Sequence, residues 1–231
     1  MSHPGESIKN AIKYLDSFCS DLGQMISTLE RLLNEKGFQL FPDQGNTMTY
    51  QYQLTNHIQR NNGWVIKNVQ RYFYLYVNDK QDKYDKILIY SISLYPESTF
   101  TIPVLSANVI NFKSPAPLSD IWYYPLSREC TEVDYQKNNW RFKGPYTENI
   151  PSVTLLSKSN VKLADKKTPF SEIIDKNQVI FFDLIKIQNQ EMVNEIVKQI
   201  FNLYNGDPID LINNDVIITK FPKLLLDCWN Q

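Results

Sequence analysis

The sequence is poor in glycine, which excludes several common nucleotide-binding and catalytic motifs. Its seven glycines in 231 residues lie at least eight positions apart. The dinucleotide fingerprint G-x-G-x-x-G, the phosphate loop G-x-x-x-x-G-K-S/T and the nucleophile elbow G-x-S-x-G all need closely spaced glycines, because only a backbone without Cβ atoms turns so tightly beside a phosphate or substrate. The chain therefore encodes none of these sites.

Histidine and cysteine are also scarce. The two histidines, His3 and His57, exclude a histidine-rich metal site, and Cys19, Cys130 and Cys228 show no C-x-x-C spacing. An odd number of distant cysteines, together with the absence of any N-x-S/T sequon, favours a reducing cytosol. We therefore expect a cytoplasmic protein with no cofactor, although a Mg²⁺ site made only of carboxylates stays open.

Long apolar runs and an excess of one charge are missing as well. No run approaches the roughly 18–20 apolar residues that a membrane helix needs, and the opening MSHPGES lacks the basic and apolar regions of a signal peptide. The net charge is −1, from 24 basic and 25 acidic residues. No broad field therefore draws the chain to nucleic acid or to an anionic membrane, and we expect neither as a partner.

A regular apolar pattern covers residues 7–36. Apolar residues recur at alternating spacings of three and four, and a third column widens the stripe. The two main columns are Ile8, Leu15, Leu22 and Leu29 with Ala11, Phe18, Met25 and Leu32, and the third is Ile12, Cys19, Ile26 and Leu33. This pattern predicts an amphipathic helix that ends at Gly37.

The predicted helix of about 30 residues is roughly 45 Å long, which exceeds what one small sheet covers. Two interpretations follow. In the first, the whole helix packs on its own domain, with Cys19 in the core. In the second, part of it extends as an association element and pairs with another chain, as four heptads permit. The second interpretation predicts a homo-oligomer, and specifically a dimer.

The centre of the chain, residues 69–112, predicts an antiparallel meander of three strands. Residues 69–77, 87–94 and 104–112 are rich in β-branched and aromatic side chains, and polar or proline-containing loops separate them. In the middle run the even positions are all apolar and the odd positions partly so, which predicts a central strand. The even positions are Leu88, Tyr90, Ile92 and Leu94.

Tyr72, Tyr74 and Tyr76 share one face of the first strand, because successive side chains alternate between faces. Next to Arg71, such a stripe could stack the bases of single-stranded nucleic acid. The alternative, which the balanced charge favours, is that the tyrosines line a half-buried face under the N-terminal helix.

A second candidate recognition surface contains Arg128, Trp140 and Arg141, in a region rich in aromatic residues. Aromatic residues and arginine dominate many recognition surfaces. The competing interpretation is that these residues belong to loops folded over the sheet.

The C-terminal third predicts a short helix at 169–176, a buried strand at 178–187 and a helix at about 190–204. Asn189 is a suitable N-cap for that last helix, and Gly206 a suitable stop.

Two charged residues interrupt otherwise apolar strands: Asp183 in residues 178–187 and Arg71 in residues 69–77. A charge buried alone in a core is costly. We therefore expect the last long strand to lie beside the meander, with Asp183 satisfied by Arg71 or by backbone N–H groups. The competing interpretation is that Asp183 is a functional-site residue.

A helix, three meandering strands, a helix and a further strand resemble the element order of the PD-(D/E)XK nuclease core. That resemblance implies a Mg²⁺-dependent site with an aspartate on one strand, then an acidic residue and a lysine two positions apart on the next. The predicted second and third strands carry no such pair. Ser98 and Thr99 follow Glu97, and Asp183 and Lys186 are three positions apart. The resemblance is therefore one of element order without its motif.

Together these patterns predict a single α+β domain spanning residues 1–231. It has a mainly antiparallel sheet of five or six strands, on which an N-terminal helix at about 7–36 and a C-terminal helix at about 190–204 pack. The function that fits best is a cytosolic binding or assembly protein that acts through protein–protein contacts. The alternatives are a nuclease-like enzyme that lacks the usual motif, and a single-stranded nucleic-acid binder that uses the tyrosine stripe.

Overall fold

The elements of the fold come from a computed structural model, which describes residues 4–41, 68–75, 83–94, 102–117, 140–142, 153–157, 174–210 and 215–219. Two α-helices are present in these ranges, α1 (Pro4–Glu35) and α2 (Gln190–Asn205). The strands are β1 (Phe38–Leu40), β2 (Asn68–Leu75), β3 (Lys83–Ser93), β4 (Val104–Pro117), β5 (Trp140–Phe142), β6 (Val153–Ser157) and β7 (Ile174–Asp183).

The strands form one antiparallel sheet in the order β1-β2-β3-β4-β7-β6-β5. The predicted α+β fold is confirmed, and the predicted meander corresponds to β2, β3 and β4. The described residues contain seven strands, where five or six were expected. The two at the sheet edges, β1 and β5, are three residues long. Such short strands have no alternation that a sequence pattern can reveal.

Helix α1 begins and ends close to its predicted bounds. Pro4 lies in the first turn, where a missing N–H costs no intrahelical hydrogen bond. Gly37 follows the last turn with φ of 88°, a left-handed conformation that glycine adopts without strain. Burial of the helix is uneven: Leu22 is its first buried residue, and every described side chain before Leu22 is exposed or half-buried. Cys19 is exposed, so the expectation of a core cysteine is wrong.

One face of the sheet is covered by α1 and α2. Leu88, Tyr90 and Ile92 of β3 point to this face and are fully buried, as the alternation predicted. The core there includes Phe73, Leu88, Tyr90, Ile92, Leu105, Ala107, Val109, Ile180 and Phe182. From the helices it includes Leu22, Ile26, Leu29 and Leu33 of α1, with Val193, Ile196, Val197, Ile200, Leu203 and Tyr204 of α2. The opposite face is buried too, with Ile87, Ile89, Ile110 and Val179 at 0 % exposure.

Helix α2 has the predicted caps. The Oδ1 atom of Asn189 accepts a hydrogen bond from the Met192 N–H at 2.9 Å, which satisfies one of the free N–H groups of the first turn. Gly206 ends the helix with φ of 81°.

Strand β7 lies beside β4, as predicted, but it begins and ends earlier than the sequence indicated. A 3₁₀ turn, Leu184–Lys186, follows it where the strand was expected to continue. Residues 174–176 of the predicted short helix belong to β7, and residues 169–173 lie outside the described ranges. Ile174 and Lys176 pair with Phe112 and Asn111 of the long strand β4. Strand pairing there overrides the local preference for a helix.

Candidate functional site

The first half of α1 carries an apolar stripe that the rest of the described structure leaves uncovered. Ile8 is 63 % exposed and Ile12 is 61 % exposed, while Leu15 and Phe18 are half-buried. We call the stripe formed by Ile8, Ala11, Ile12, Leu15 and Phe18 the open face of α1. It continues, residue for residue in the heptad, the columns that are buried further along the same helix.

A groove adjoins the open face, between α1 and the segment that leads from the 3₁₀ turn into α2. It has a volume of about 450 Å³. Its lining is formed by Phe18, Asp21, Leu22, Gln24, Met25 and Thr28 of α1, with Leu184, Ile187, Gln188, Asn189, Gln190 and Val193 opposite. Because Phe18 belongs to both the groove and the open face, the two form one continuous surface.

The charges of the exposed half are distributed unevenly along the helix. Lys9 and Lys13 lie in its early turns, while Asp16 and Asp21 lie in its later turns. Lys9 and Asp16 are seven residues apart, so both lie on the same flank of the stripe. Glu6 adds a negative charge in the first turn, so the exposed half carries both signs, and one flank of the stripe has Lys9 followed by Asp16.

The second half of α1 is held on the sheet by a polar contact as well as by its apolar residues. Arg71 Nε donates a hydrogen bond to Glu30 Oε1 at 2.7 Å, and the Tyr90 hydroxyl donates to the same oxygen at 3.3 Å. Burial raises the pKa of Tyr90 well above its usual range, and the negative charge of Glu30 raises it further. This cluster joins residues of α1, β2 and β3, and it fixes that half of the helix.

Asp183 and Arg71 are not brought together. Arg71 lies on β2 and Asp183 on β7, three positions apart in the strand order, which is about 14 Å at the usual strand spacing. Asp183 is half-buried, and its Oδ1 atom accepts a hydrogen bond from the Ile185 N–H at 3.0 Å. Its carboxylate thus caps the 3₁₀ turn. Of the two expected partners, the backbone N–H group is the one present, and a role for Asp183 in a functional site stays a prediction.

Tyr74, the member of the tyrosine stripe whose side chain is described, does not lie under α1. Arg71 and Phe73 of β2 point toward the helices, so alternation places Tyr74 on the opposite face. There the Tyr74 ring contacts Phe41 and Tyr84, with centroid distances of 4.8 and 4.9 Å. The Tyr74 hydroxyl donates to Gln39 Oε1 at 2.8 Å, and its side chain is half-buried. Tyr74 is therefore partly covered by protein, but by a different part of it than we expected.

The remaining predicted recognition residues cannot be placed in a site. Tyr76 and Arg128 lie outside the described ranges, as does the side chain of Tyr72. Trp140 and Arg141 lie on the edge strand β5, with side chains outside the described part of the structure. Their role in recognition stays a prediction.

The described residues contain no group of three or more histidine, cysteine, aspartate or glutamate side chains placed to hold a metal ion. Neither helix in the described ranges combines the length and hydrophobicity needed to cross a bilayer.

Sequence reasoning identified the apolar stripe of α1 but missed the groove. Leu184, Ile187 and Val193 line the groove. The sequence pattern placed Leu184 and Ile187 in a strand and Val193 in the following helix. The available signal was weak, because an apolar run after a buried strand does not reveal where the strand ends. The chain matches no protein-family model, and no curated protein or solved structure is significantly similar to it.

Proposed function

We propose that this protein is a binding or assembly protein, and that it acts through protein–protein contacts made by the open face of α1. One observation carries the proposal: a single heptad pattern is buried or half-buried from Leu22 onward, whereas before Leu22 no residue of it is buried and Ile8 and Ile12 are exposed. The residues from Leu22 onward anchor α1 on the sheet. That anchoring does not explain why Ile8 and Ile12 of the exposed half are apolar.

The physical cost of the exposed stripe supports this proposal. Fully burying an isoleucine side chain is favourable by about 1.5–3 kcal/mol. Ile8 and Ile12, each more than half exposed, leave part of that free energy unused in the described fold. A helix projecting without tertiary contacts is also marginal in water. A protein partner on the open face would supply both the missing burial and the missing support.

We also propose that the protein is a single domain located in the cytoplasm. The sheet takes strands from residue 38 to residue 183 into one layer, which supports a single domain. The free thiol of Cys19 is exposed, and such a thiol stays reduced in the cytosol that the sequence predicts. No cofactor or metal is required.

The proposal is tested by changing the open face without changing the helix. Ile8→Gln combined with Ile12→Gln removes apolar contact while keeping residues that favour a helix. Asn10→Gln combined with Lys13→Gln is the matched control, because both positions are exposed on the polar face of the same turns. Tagged parent and variants are purified from cells that make the protein naturally, next to an untagged copy, and co-purifying proteins are identified by mass spectrometry and then recombined in pure form.

We expect a protein, which includes the untagged copy as one outcome, that binds the parent and the control but is lost from the isoleucine variant. That protein should bind again when the purified components are mixed. If every protein retained by the parent is also retained by the isoleucine variant, or if the parent retains none and does not self-associate in solution either, the open face is not a binding surface and the proposal is wrong.

A further inference from the structure

We infer that the occupant of the open face is a second copy of this chain, and that the two α1 helices pair in antiparallel orientation. This inference rests on the proposed function, and it adds the partner and the geometry. Four features carry it: the fit of the apolar side chains, the charge pattern, the position of the folded body along the helix and the position of the groove.

The apolar side chains fit an antiparallel pair. When Ile8 lies opposite Phe18 of the second copy, Ala11 lies opposite Leu15 of that copy, and the two-fold axis is level with Lys13. The small side chain of Ala11 then meets the large one of Leu15, so the surfaces interdigitate as knobs and holes do in paired helices. Each contact occurs twice by symmetry, as a two-fold interface requires.

The charge pattern favours the same orientation. In this register Lys9 of one copy comes within about one residue of the level of Asp16 in the other, on the same flank of the interface. Two symmetric Lys9–Asp16 pairs therefore form across the interface. A parallel pair would instead set Lys9 level with Lys9 and Asp16 level with Asp16, where like charges repel.

The folded body excludes a long parallel pair. From Leu22 onward the apolar columns of α1 are covered by its own sheet and by α2. Two parallel helices would therefore carry both bodies at the same end of the interface and side by side. In the antiparallel pair the two Leu22 residues are about 27 Å apart along the helix axis, at the usual rise per residue. The bodies then lie at opposite ends and leave the open faces free to meet.

The groove lies where the second copy's helix begins. In the same register the first turn of that helix is level with residues 19–22, at the mouth of the groove formed by Phe18, Asp21 and Leu22. The groove thus extends the contact beyond the open face. The helix pair alone covers about 27 Å by 10 Å, or roughly 300 Å² per copy, against about 800 Å² per partner in a standard interface. We therefore expect micromolar association and not an obligate dimer.

Sedimentation velocity over a concentration series from about 1 to 200 µM, the range for an interface of this small size, tests the identity of the partner. The parent and the Asn10→Gln/Lys13→Gln control should shift from monomer to dimer, and the Ile8→Gln/Ile12→Gln variant should stay monomeric. A parent that is monomeric at every concentration would overturn the inference. So would a monomer that binds anionic phospholipid vesicles through the same isoleucines, because the open face would then serve a membrane surface.

Charge exchange tests the orientation in the native cysteine background. Lys9→Glu alone and Asp16→Lys alone should each weaken dimerisation about five- to tenfold, since two symmetric ion pairs become repulsive. The double variant Lys9→Glu/Asp16→Lys restores both pairs and should regain the affinity of the parent. If the double variant is as weak as the two single changes combined, the antiparallel register is wrong.

Spin-label distances give an independent measure of orientation. Cys19, Cys130 and Cys228 are first replaced by serine. One spin label is then attached to a single introduced cysteine, Lys13→Cys, Ser20→Cys or Ser27→Cys, and these three positions share one exposed column of α1. Axial separations between the copies should be about 0, 21 and 42 Å in the antiparallel pair. Equal distances at all three positions would show a parallel pair. Circular dichroism of each labelled variant confirms that it is folded.

Failure of this inference is distinguishable from failure of the proposed function. If the chain stays monomeric but a different purified protein binds it through Ile8 and Ile12, only the choice of a second copy is wrong. If no protein depends on those isoleucines, the proposed function is wrong as well.

Discussion

Residues 5–21 and 22–35 of α1 belong to one helix and continue one heptad pattern, yet their surroundings differ. In the second half, Leu29 and Leu33 are 1 % and 0 % exposed, and Glu30 binds Arg71. In the first half, Ile8 and Ile12 are more than half exposed. A heptad pattern therefore specifies a helix with an apolar face, but does not specify what covers that face.

The largest effect is expected from truncating leucines in one column of the heptad. Leu29→Ala should lower the free energy of unfolding by about 2–5 kcal/mol, because it leaves a cavity in the core. Leu15→Ala, two heptads earlier and half-buried, should cost below about 1 kcal/mol in the monomer, close to the range of surface changes. Urea unfolding at low protein concentration measures both. Equal losses would mean that the first half is covered within the monomer.

The opposite face of the sheet, which α1 does not touch, provides a reference for covered aromatic residues. Tyr74→Ala should destabilise by about 2–4 kcal/mol, since it removes the ring contacts with Phe41 and Tyr84. Tyr74→Phe keeps the ring and loses the hydrogen bond to Gln39, so it should cost about 1 kcal/mol. Chemical denaturation gives both values. A loss below about 0.5 kcal/mol for Tyr74→Ala would favour the single-stranded nucleic-acid alternative.

Removing one carboxylate charge from each half of α1 compares the two halves at another heptad position. Glu30→Gln should destabilise by about 1–3 kcal/mol, because Arg71 loses its counter-charge in a site that is mostly shielded from water. Asp16→Asn, two heptads earlier and exposed, is the control and should change monomer stability by less than about 0.5 kcal/mol. Thermal unfolding at matched concentration distinguishes them. Similar effects of the two changes would contradict a special role for the Glu30–Arg71 pair.

Alkaline pH should destabilise the fold through two buried tyrosines that lie beneath the helices, Tyr90 of β3 and Tyr204 of α2. The pKa of Tyr90 is raised well above its usual range by burial and by Glu30, and burial raises the pKa of Tyr204 to about 12. Above pH about 10 the unfolded chain loses these protons while the folded chain keeps them. The contribution of these protons to the free energy of unfolding is fully present below that pH. Above it, the free energy of unfolding should fall by about 1.4 kcal/mol per pH unit for each tyrosine.

Urea unfolding of the parent, Tyr90→Phe and Tyr204→Phe between pH 9 and pH 12, about one unit below and two units above the usual tyrosine pKa, checks this expectation. Each variant should show a shallower loss of stability than the parent. Parallel curves for all three proteins would show that the two hydroxyl groups ionise equally in the folded and unfolded states.

The smallest effect is expected at Asp183. If Asp183 were paired with a buried arginine, its replacement by asparagine would lower the free energy of unfolding by about 1–4 kcal/mol. Because Asp183 instead accepts the Ile185 N–H, Asp183→Asn should cost below about 0.5 kcal/mol, since the amide oxygen still accepts. Asp183→Ala removes the cap and should cost about 1 kcal/mol. A cost for Asp183→Asn well above that of Asp183→Ala would show that the charge itself matters.

Much of the fold could be predicted because its signals are local and repeated. The heptad spacing, Gly37 and Gly206 after the helices, and the side-chain oxygen of Asn189 each act within a few residues. The apolar even positions of β3 were correctly assigned to the core. The groove could not be predicted, since it depends on where β7 ends. The end of β7 is set by how far its pairing with β4 extends and by the hydrogen bond with which Asp183 caps the 3₁₀ turn.

The amino-acid pattern specifies the two helices, the central meander and the apolar side of each long strand, because periodicity and capping depend only on neighbours along the chain. Which distant groups meet depends on the tertiary structure. It paired Arg71 with Glu30 instead of Asp183, turned Tyr74 away from the helices, and covered α1 from Leu22 onward while leaving Ile8 and Ile12 exposed. Those outcomes depend on strand order and on where the sheet ends beneath the helix, and no local pattern encodes either.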